Sequence, residues 1–246
     1  MNQVIHGDCL EVMPTLPDKS IDMILCDLPY GTTACKWDTV IPFEPLWREY
    51  KRLIKDKGAI VLTASQPFTS ALIMSNPEMF KYDLTWDKKL SSGFLNSKVM
   101  PLRKHEDVLI FGKGRVTYNP QMEMRGKVRK KGITTKSGKH TSNYGKYKSV
   151  YTENNEYYPT SIIVIGNTNR VASLHPTQKP VALFEYLIKT YTNEGETVLD
   201  NCAGSGTTAI ACLNTNRNYI LIEKEKEYID IINKRIAEHE QQLALC

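Results

Sequence analysis

The last third of the chain alternates strand and helix patterns, and this restricts the fold more than any other feature. Leu183, Phe184, Leu187, Ile188 and Tyr191 recur at helical spacing. Residues 197–200 then read as a strand, 205–213 as a helix and 219–223 as a strand, and Tyr228, Ile229, Ile232 and Ile236 mark a closing helix. Strands that alternate with helices pair in parallel, because each crossover helix must pack back on the sheet. The first half agrees with this. Residues 4–8, 21–27, 59–63, 82–86, 107–111 and 161–165 read as strands. A helix is expected through Leu46, Trp47, Tyr50, Leu53 and Ile54 with Gly58 as its stop, and another over 66–74. The expected class is α/β, with a doubly wound, mostly parallel sheet.

Composition matters mainly through charge. The net charge is +5, yet 113–148 holds eight Lys and three Arg against Glu123 alone. That stretch carries +10, so the remainder is −5. Tyr118, Tyr144 and Tyr147 are interleaved with the cations, which suits a phosphate backbone with bases nearby. A solvated linker has the same composition. The six cysteines form no C-x-x-C pair, so neither a zinc knuckle nor a disulfide framework is expected. No apolar run is long enough to span a membrane, and the first residues do not read as a signal peptide. A reducing, cytoplasmic setting follows as an expectation.

Two segments carry chemistry. Asp200-Asn201-Cys202-Ala203-Gly204-Ser205-Gly206-Thr207-Thr208-Ala209 joins a strand to a helix and contains G-x-G-x-x-A. Glycines there permit a tight turn and close approach of a ligand to the backbone. Glu223 ends the next strand, where a carboxylate can accept from both hydroxyls of a ribose. Loop and acid together indicate an adenosine-type cofactor, and their spacing does not separate a dinucleotide from S-adenosylmethionine. The second segment, Asp27-Leu28-Pro29-Tyr30, falls at the end of a strand, where open parallel sheets place ligands. It offers a carboxylate and a carbonyl to accept from an amino group, and a ring to stack on a base.

Asp27-Leu28-Pro29-Tyr30 resembles the D-P-P-Y motif of amino-group DNA methyltransferases. Asp200 to Thr208 resembles their D-P-F-x-G-S-G-T-T cofactor loop, and His175-Pro176-Thr177-Gln178-Lys179-Pro180 matches the H-P-T-Q-K-P segment before it. Arg103-Lys104-His105-Glu106 and Gly7-Asp8-Cys9-Leu10 are also similar to the family. The catalytic turn comes first, then the basic region, then the cofactor loop, which resembles the circularly permuted β group. The chain departs from the pattern at Leu28, in place of the first proline, and at Asn201-Cys202, in place of Pro-Phe.

The resemblance implies a Rossmann-like, circularly permuted, seven-stranded methyltransferase fold. Its halves would be 1–112, with the catalytic turn, and 159–246, with the cofactor loop, around a target-recognition insertion at 113–158. It implies transfer of a methyl group from S-adenosylmethionine to the N6 amino group of adenine in duplex DNA after base flipping, leaving S-adenosylhomocysteine and using no metal. Asp27 and the Leu28 carbonyl would bind the amino hydrogens, with Pro29 shaping the turn and Tyr30 stacking on the base. Asp200, Asn201, Cys202, Ala203, Gly204, Ser205, Gly206 and Thr207 would hold the methionine end of the cofactor, Glu223 its ribose, and Asp8 and Cys9 its adenine. Thr177, Gln178 and Lys179 would shape the methionine pocket, with His175 a turn residue beside it. Arg103, Lys104, Lys113, Arg115, Arg125, Lys127, Arg129, Lys130, Lys131, Lys136 and Lys139 would meet DNA, through an insertion partly mobile without it and with binding that weakens steeply with salt. The cell would be bacterial or phage-infected, and a homodimer fits the family.

Cys35 beside Lys36 could suggest an activated thiolate, but the Pro-Cys motif of carbon-5 methyltransferases is missing. Trp37, Trp47 and Trp86 read as core or interface. Four alternatives use parts of the same pattern. They are N4 methylation of cytosine, methylation of RNA or of a protein glutamine, a nicotinamide-dependent oxidoreductase, and a DNA-binding regulator with a degenerate pocket. The oxidoreductase leaves 27–30 without a role.

Overall fold

The computed structural model describes residues 2–32, 38–131, 151–167 and 178–244. Contacts divide the chain into two compact units, one of 1–119 with 161–246, the other of 120–160.

The larger unit is built on one eight-stranded sheet. In chain order its elements are β1 (Gln3–His6), α1 (Cys9–Val12), β2 (Ile21–Cys26), α2 (Phe43–Leu53), β3 (Ile54–Ala64), α3 (Phe68–Ser75), β4 (Phe80–Ser92) and β5 (Arg103–Phe111). After the smaller unit, with β6 (Glu123–Lys131) and β7 (Thr152–Tyr157), come β8 (Ile162–Val164), α4 (Val181–Tyr191), β9 (Thr197–Asp200), α5 (Thr207–Asn214), β10 (Asn218–Glu223) and α6 (Lys226–Ala244). The strand order is β1-β10-β9-β2-β3-β5-β4-β8. The first five strands are mutually parallel, β5 runs antiparallel to both its neighbours, and β4 and β8 are parallel. The eighth strand, beyond the seven expected, is the three-residue edge β8, whose Ile163 is buried and pairs with Trp86.

Strand alternation divides the core between the two faces, as side chains of period two must. Ile24, Cys26, Ile60 and Leu62 face α1, α2 and α3. Met23, Leu25, Ala59 and Val61 face α4, α5 and α6. Each Ile, Leu, Val or Met among them, fully removed from water, contributes roughly 1.5–3 kcal/mol. Trp47 and Trp86 are buried in this core, as expected, whereas Trp37 and Cys35 lie outside the described residues.

The expected helix through Ile54 with a stop at Gly58 is corrected by the sheet. The helix ends at Leu53, and Ile54 already pairs with Ile21. The register between β2 and β3 then shifts, from Ile21 opposite Ile54 to Met23 opposite Ala59, so Gly58 sits inside a bulged strand. A Cβ at Gly58 would lie 2.7 Å from the Asp22 carbonyl oxygen, and close backbone approach explains the glycine better than a helix stop does.

Residues 113–119 belong to the larger unit. Thr117 N donates to Lys57 O at 2.9 Å, and Asn119 N to Thr190 O at 2.7 Å. The smaller unit starts at Pro120 and contains the antiparallel pair β6 and β7, two strands that the basic composition of the segment hid.

Candidate active site at the ends of two neighbouring strands

β2 and β9 lie side by side and mark the point where the winding of the sheet reverses. The chain proceeds from β2 to its neighbour β3 on one side and from β9 to its neighbour β10 on the other, with β1 at the edge beyond β10. The loops that leave the two strands diverge there, and open α/β sheets keep their crevice at this point. A cavity of about 1070 Å³ occupies it. The 27–30 turn, the 200–205 loop with Thr207, Asp8, Cys9, Gln178, Lys179 and Glu223 all line this cavity. His175 and Thr177 lie outside the described residues.

At the turn, the two oxygens of Asp27 have different partners. The Tyr30 hydroxyl donates to Oδ1 at 2.7 Å, and the Thr63 hydroxyl donates to the same atom. Lys179 Nζ donates to Oδ2 at 2.6 Å. Lys179 also lies 3.4 Å from Glu106, and Lys88 donates to the other Glu106 oxygen at 3.1 Å. The result is a row of alternating charges, Asp27–Lys179–Glu106–Lys88. All four side chains are largely buried, with Lys179 7% exposed and Asp27 21%.

Burial alone would lower the Lys179 ammonium, but the Asp27 and Glu106 carboxylates outweigh it and hold it above its ordinary value. Burial pushes the Glu106 carboxyl up, and Lys179 and Lys88 overcome this to hold it low. Tyr30 stacks on Phe68 with ring centroids 5.1 Å apart, and burial followed by the nearby Asp27 charge pushes its phenol well up. Leu28 is buried, so its side chain anchors the turn in the core. Beyond the turn, Gly31 adopts φ +68°, and Gly31 N and Thr32 N both donate to Asp38.

The β9 loop is held differently. Cys202 N donates to Asp200 Oδ1 at 3.1 Å, and the Thr208 hydroxyl donates to Oδ2. Asp200 is 3% exposed, and burial pushes its carboxyl up to about 7. The Asn201 side chain accepts from the buried Tyr50 hydroxyl at 2.6 Å. Gly204 and Gly206 have φ +51° and +78°, left-handed values that favour glycine. A Cβ on Gly206 would also meet Ile232 at 2.9 Å. Arg235 ties Ser205 to α6 through its carbonyl and hydroxyl. Glu223 accepts from Gly204 N and Glu225 N, both at 2.8 Å, and burial raises its carboxyl. Asp8 caps α1 by accepting from Leu10 N at 3.0 Å and pairs with Lys224 at 3.1 Å.

Cys9, Cys26 and Cys202 hydrogen-bond in series beside this loop, and all three thiols are raised. For Cys9 and Cys202 the bond to the neighbouring thiol is the largest cause, while burial pushes Cys26 up to about 12. These are protonated thiols that form an apolar wall, and a reactive cysteine requires the opposite shift. Among the described residues no group of His, Cys, Asp or Glu is placed to hold a metal ion, and no helix is long and apolar enough to cross a membrane.

The expected DNA contacts that the structure describes are divided between the two units. Lys113 donates to the Ile54 carbonyl at 3.2 Å, Arg103 donates to Ser65 and Gln66, and Lys104 pairs with Asp87 at 3.2 Å, all in the larger unit. Arg115 is exposed there as well. In the smaller unit, Arg125 pairs with Glu123 and lies 4.4 Å over the Tyr157 ring. Lys127, Arg129 and Lys130 are exposed on β6, which Lys131 ends, and Lys136 and Lys139 lie outside the described residues.

Sequence reasoning missed Thr63, Lys88 and Asp38, and it quoted Glu106 without giving it a role. Thr63 and Glu106 carried a signal, since each is a polar residue beside an apolar strand run. β5 is antiparallel to β3, so its beginning meets the ends of β2 and β3. The late part of β4 reaches the same edge, which brings in Lys88.

Fold and cavity together define a Rossmann-like α/β protein with a nucleotide-type pocket and a carboxylate turn on one wall. A family model described as DNA methylase, covering N6 and N4 enzymes, matches residues 21–234, and the chain belongs to that family. It is similar to type II methyltransferase M.HinfI of Haemophilus influenzae, with 27% identity over 97% of this chain and 69% of that protein. M.HpaI of Haemophilus parainfluenzae is also 27% identical, over 95% of this chain and 74% of its own. The crystal structure of an M1.HpyAVI–SAM complex aligns with TM-score 0.64 and 26% identity, over 96% of this chain and 99% of that one. The cytosine-N4-specific PvuII methyltransferase shares the fold, with TM-score 0.66 and 15% identity over 98% and 92% of the two chains.

Proposed function

We propose that this protein is a site-specific DNA methyltransferase that methylates the N6 amino group of adenine in duplex DNA. One observation carries the reading. The Asp27 carboxylate and the Ala203–Ser205 loop with Glu223 open on one cavity, so an amino group and a nucleoside cofactor can meet there. The residues fit S-adenosylmethionine. The cavity exceeds the usual size for a single small ligand. Glu223 offers a buried carboxylate to ribose hydroxyls, the Cys9 and Cys202 thiols offer an apolar wall to adenine, and Asp8 stands beside Cys9.

S-adenosylmethionine supplies an electrophilic methyl group on sulfonium. The chain must present a nitrogen whose lone pair is otherwise delocalised into the base. A carboxylate has about four acceptor positions, and Tyr30, Thr63 and Lys179 take three at Asp27, leaving one for an amino hydrogen. The Leu28 carbonyl takes the second hydrogen. Both bonds localise the lone pair and strengthen as the nitrogen becomes positive, which is where preorganised charge lowers a barrier. Lys179, Thr63 and Tyr30 hold Asp27 in place for this. Tyr30 presents its ring to the extruded base, and stacking at ~1–3 kcal/mol offsets part of the cost of flipping. The basic strand β6 supplies phosphate contacts. In this reading the turn-before-loop order is the circular permutation of the family's β group, 113–158 contains the target-recognition region, and the enzyme works in the cytoplasm.

The test is nucleoside mass spectrometry after incubation with S-adenosylmethionine and unmethylated duplex DNA of mixed sequence. N6-methyladenine is expected with the wild type and none with Asp27→Ala. N4-methylcytosine would overturn the choice of base, and no methylated base at all would overturn the enzymatic reading.

A further inference from the structure

The hairpin that joins β4 to β5 projects an apolar tip into solvent at the rim of the cavity. Leu90 and Ser92 on β4 line the cavity, and the tip begins at the next residue, Gly93. Phe94, Leu95, Val99 and Met100 are 75%, 84%, 78% and 57% exposed, values reversed from what such side chains prefer.

The tip has local order. Gly93 turns the chain at φ +84°, and Phe94–Asn96 form a 3-10 turn. Val99 N and Met100 N both donate to Asn96 O, at 2.9 and 3.0 Å. Ser92 pairs with Arg103 across the base of the loop, and Arg103 is fastened to Ser65 and Gln66. From Lys88 to His105 the sequence has five Lys and Arg and no acid. A presented apolar turn, at the mouth of a cavity that accepts a base, flanked by Lys89, Lys98 and Arg103, while Lys88 and Lys104 pair with Glu106 and Asp87, complements a polyanion with a stacked apolar interior.

We infer that the 93–100 tip is a wedge that enters duplex DNA beside the flipped nucleotide. Phe94 and Leu95 fill the space the base leaves, and Lys89 and Lys98 meet the flanking phosphates. This rests on the methyltransferase reading above. Apolar side chains inserted between base steps lower the cost of unstacking in other DNA-bending proteins, and the same physics applies here.

The test compares wild type with Phe94→Ser/Leu95→Ser on unmethylated duplex DNA of mixed sequence, using initial rates of methyl incorporation. The rate is expected to fall about tenfold or more, the wedge having to offset an unstacking cost of a few kcal/mol. The affinity for S-adenosylmethionine should stay within about twofold, which shows that the cavity is intact. The dependence of DNA binding on salt should not change, because the cations remain. Phe94→Trp/Leu95→Met should recover most of the rate, because it keeps the tip apolar. A serine variant within about twofold of wild type would overturn the wedge. So would equal losses in the serine and apolar variants, or a serine variant that sediments as monomer where wild type is a dimer, since the tip would then serve a second copy of this chain. Wild type that methylates no duplex DNA would overturn the methyltransferase reading itself and the wedge with it.

Discussion

Asp27 and Asp200 stand at the ends of two adjacent parallel strands, yet their surroundings are opposite. Asp27 faces the cavity and is matched by a lysine, two hydroxyls and a second carboxylate one step away. Asp200 borders the same cavity but is only 3% exposed, with the Cys202 N–H, the Thr208 hydroxyl and the Cys26 thiol as its bonded partners. Burial raises its carboxyl to about 7. A strand end in this fold therefore supplies a place and not a role. A buried cation and an open face make one aspartate a ready acceptor. Closure without a cation makes the other a clamp that shapes the glycine loop.

The largest effect should come from removing the cation. Lys179→Met leaves Asp27 and Glu106 buried near each other, with Lys88 the one remaining cation of the row. Breaking a buried pair on one side costs ~3–5 kcal/mol, and denaturant unfolding should show a loss of that size. Adding Glu106→Gln should return part of it, since the surviving carboxylate repulsion disappears. A loss below about 1 kcal/mol would mean that solvent screens the row, and the contrast between the two aspartates would narrow.

The second test separates chemistry from architecture. Asp27→Asn keeps the shape but removes the charge, and it should slow methylation by about 10²–10³-fold with little effect on S-adenosylmethionine affinity. Asp200→Asn should do the reverse, weakening cofactor affinity through the loop while leaving the rate at saturating cofactor within a few-fold. Equilibrium dialysis beside single-turnover rates reads both. Similar profiles for the two variants would end the distinction.

Most of this architecture was legible because it rests on period and punctuation. The alternation from Leu183 to Ile236 specifies parallel strands and crossover helices, and the pairs at Gly204–Gly206 and Asp27–Tyr30 mark the strand ends. What was not legible depends on partners far apart in sequence. Lys179 meets Asp27 across 152 positions, and Tyr50 meets Asn201 across 151. No local pattern encodes such pairs, because they arise only when the sheet order is set. Ile54 was misplaced because an apolar residue at helical spacing suits a strand equally well, and the bulge at Gly58 decides between them. The β6–β7 pair was hidden by charge, which says where water goes but not whether the backbone pairs.

The third prediction tests Asp200 by pH. Its folded value of about 7 lies above the ordinary carboxylate value near 3.9, so the folded state binds its proton more tightly than the unfolded state does. Its contribution is most favourable at low pH and declines as pH rises from about 4 to about 7, then levels off. Relative to Asp200→Asn, wild type should lose about 3 kcal/mol between pH 5 and pH 8, at ~1.4 kcal/mol per unit over the two units that separate pH 5 from the folded value. Paired denaturant titrations measure the difference. A flat difference would mean that the hydrogen bonds from Thr208, Cys202 and Cys26 hold Asp200 ionised, which would make it more like Asp27.

The smallest expected effect concerns the Tyr30 hydroxyl. A hydrogen bond to a charged acceptor contributes ~1.5–3 kcal/mol, but Thr63 donates to the same Asp27 oxygen, and the Tyr30 ring keeps its place on Phe68 without the hydroxyl. Tyr30→Phe should therefore cost about 1 kcal/mol in transition-state stabilisation, roughly a fivefold fall in rate. The same substitution in Thr63→Val should cost more, because Asp27 Oδ1 then has neither hydroxyl, and the excess measures how far the two donors substitute for one another. Burial and the Asp27 charge hold the Tyr30 phenol protonated, so the ratio of wild-type to Tyr30→Phe rates should stay constant from pH 6 to pH 9. A ratio that climbs with pH would show the ionised phenol taking part as a base. Tyr30 would then add proton transfer to the chemistry beside Asp27, a difference from Asp200 in chemistry as well as in setting.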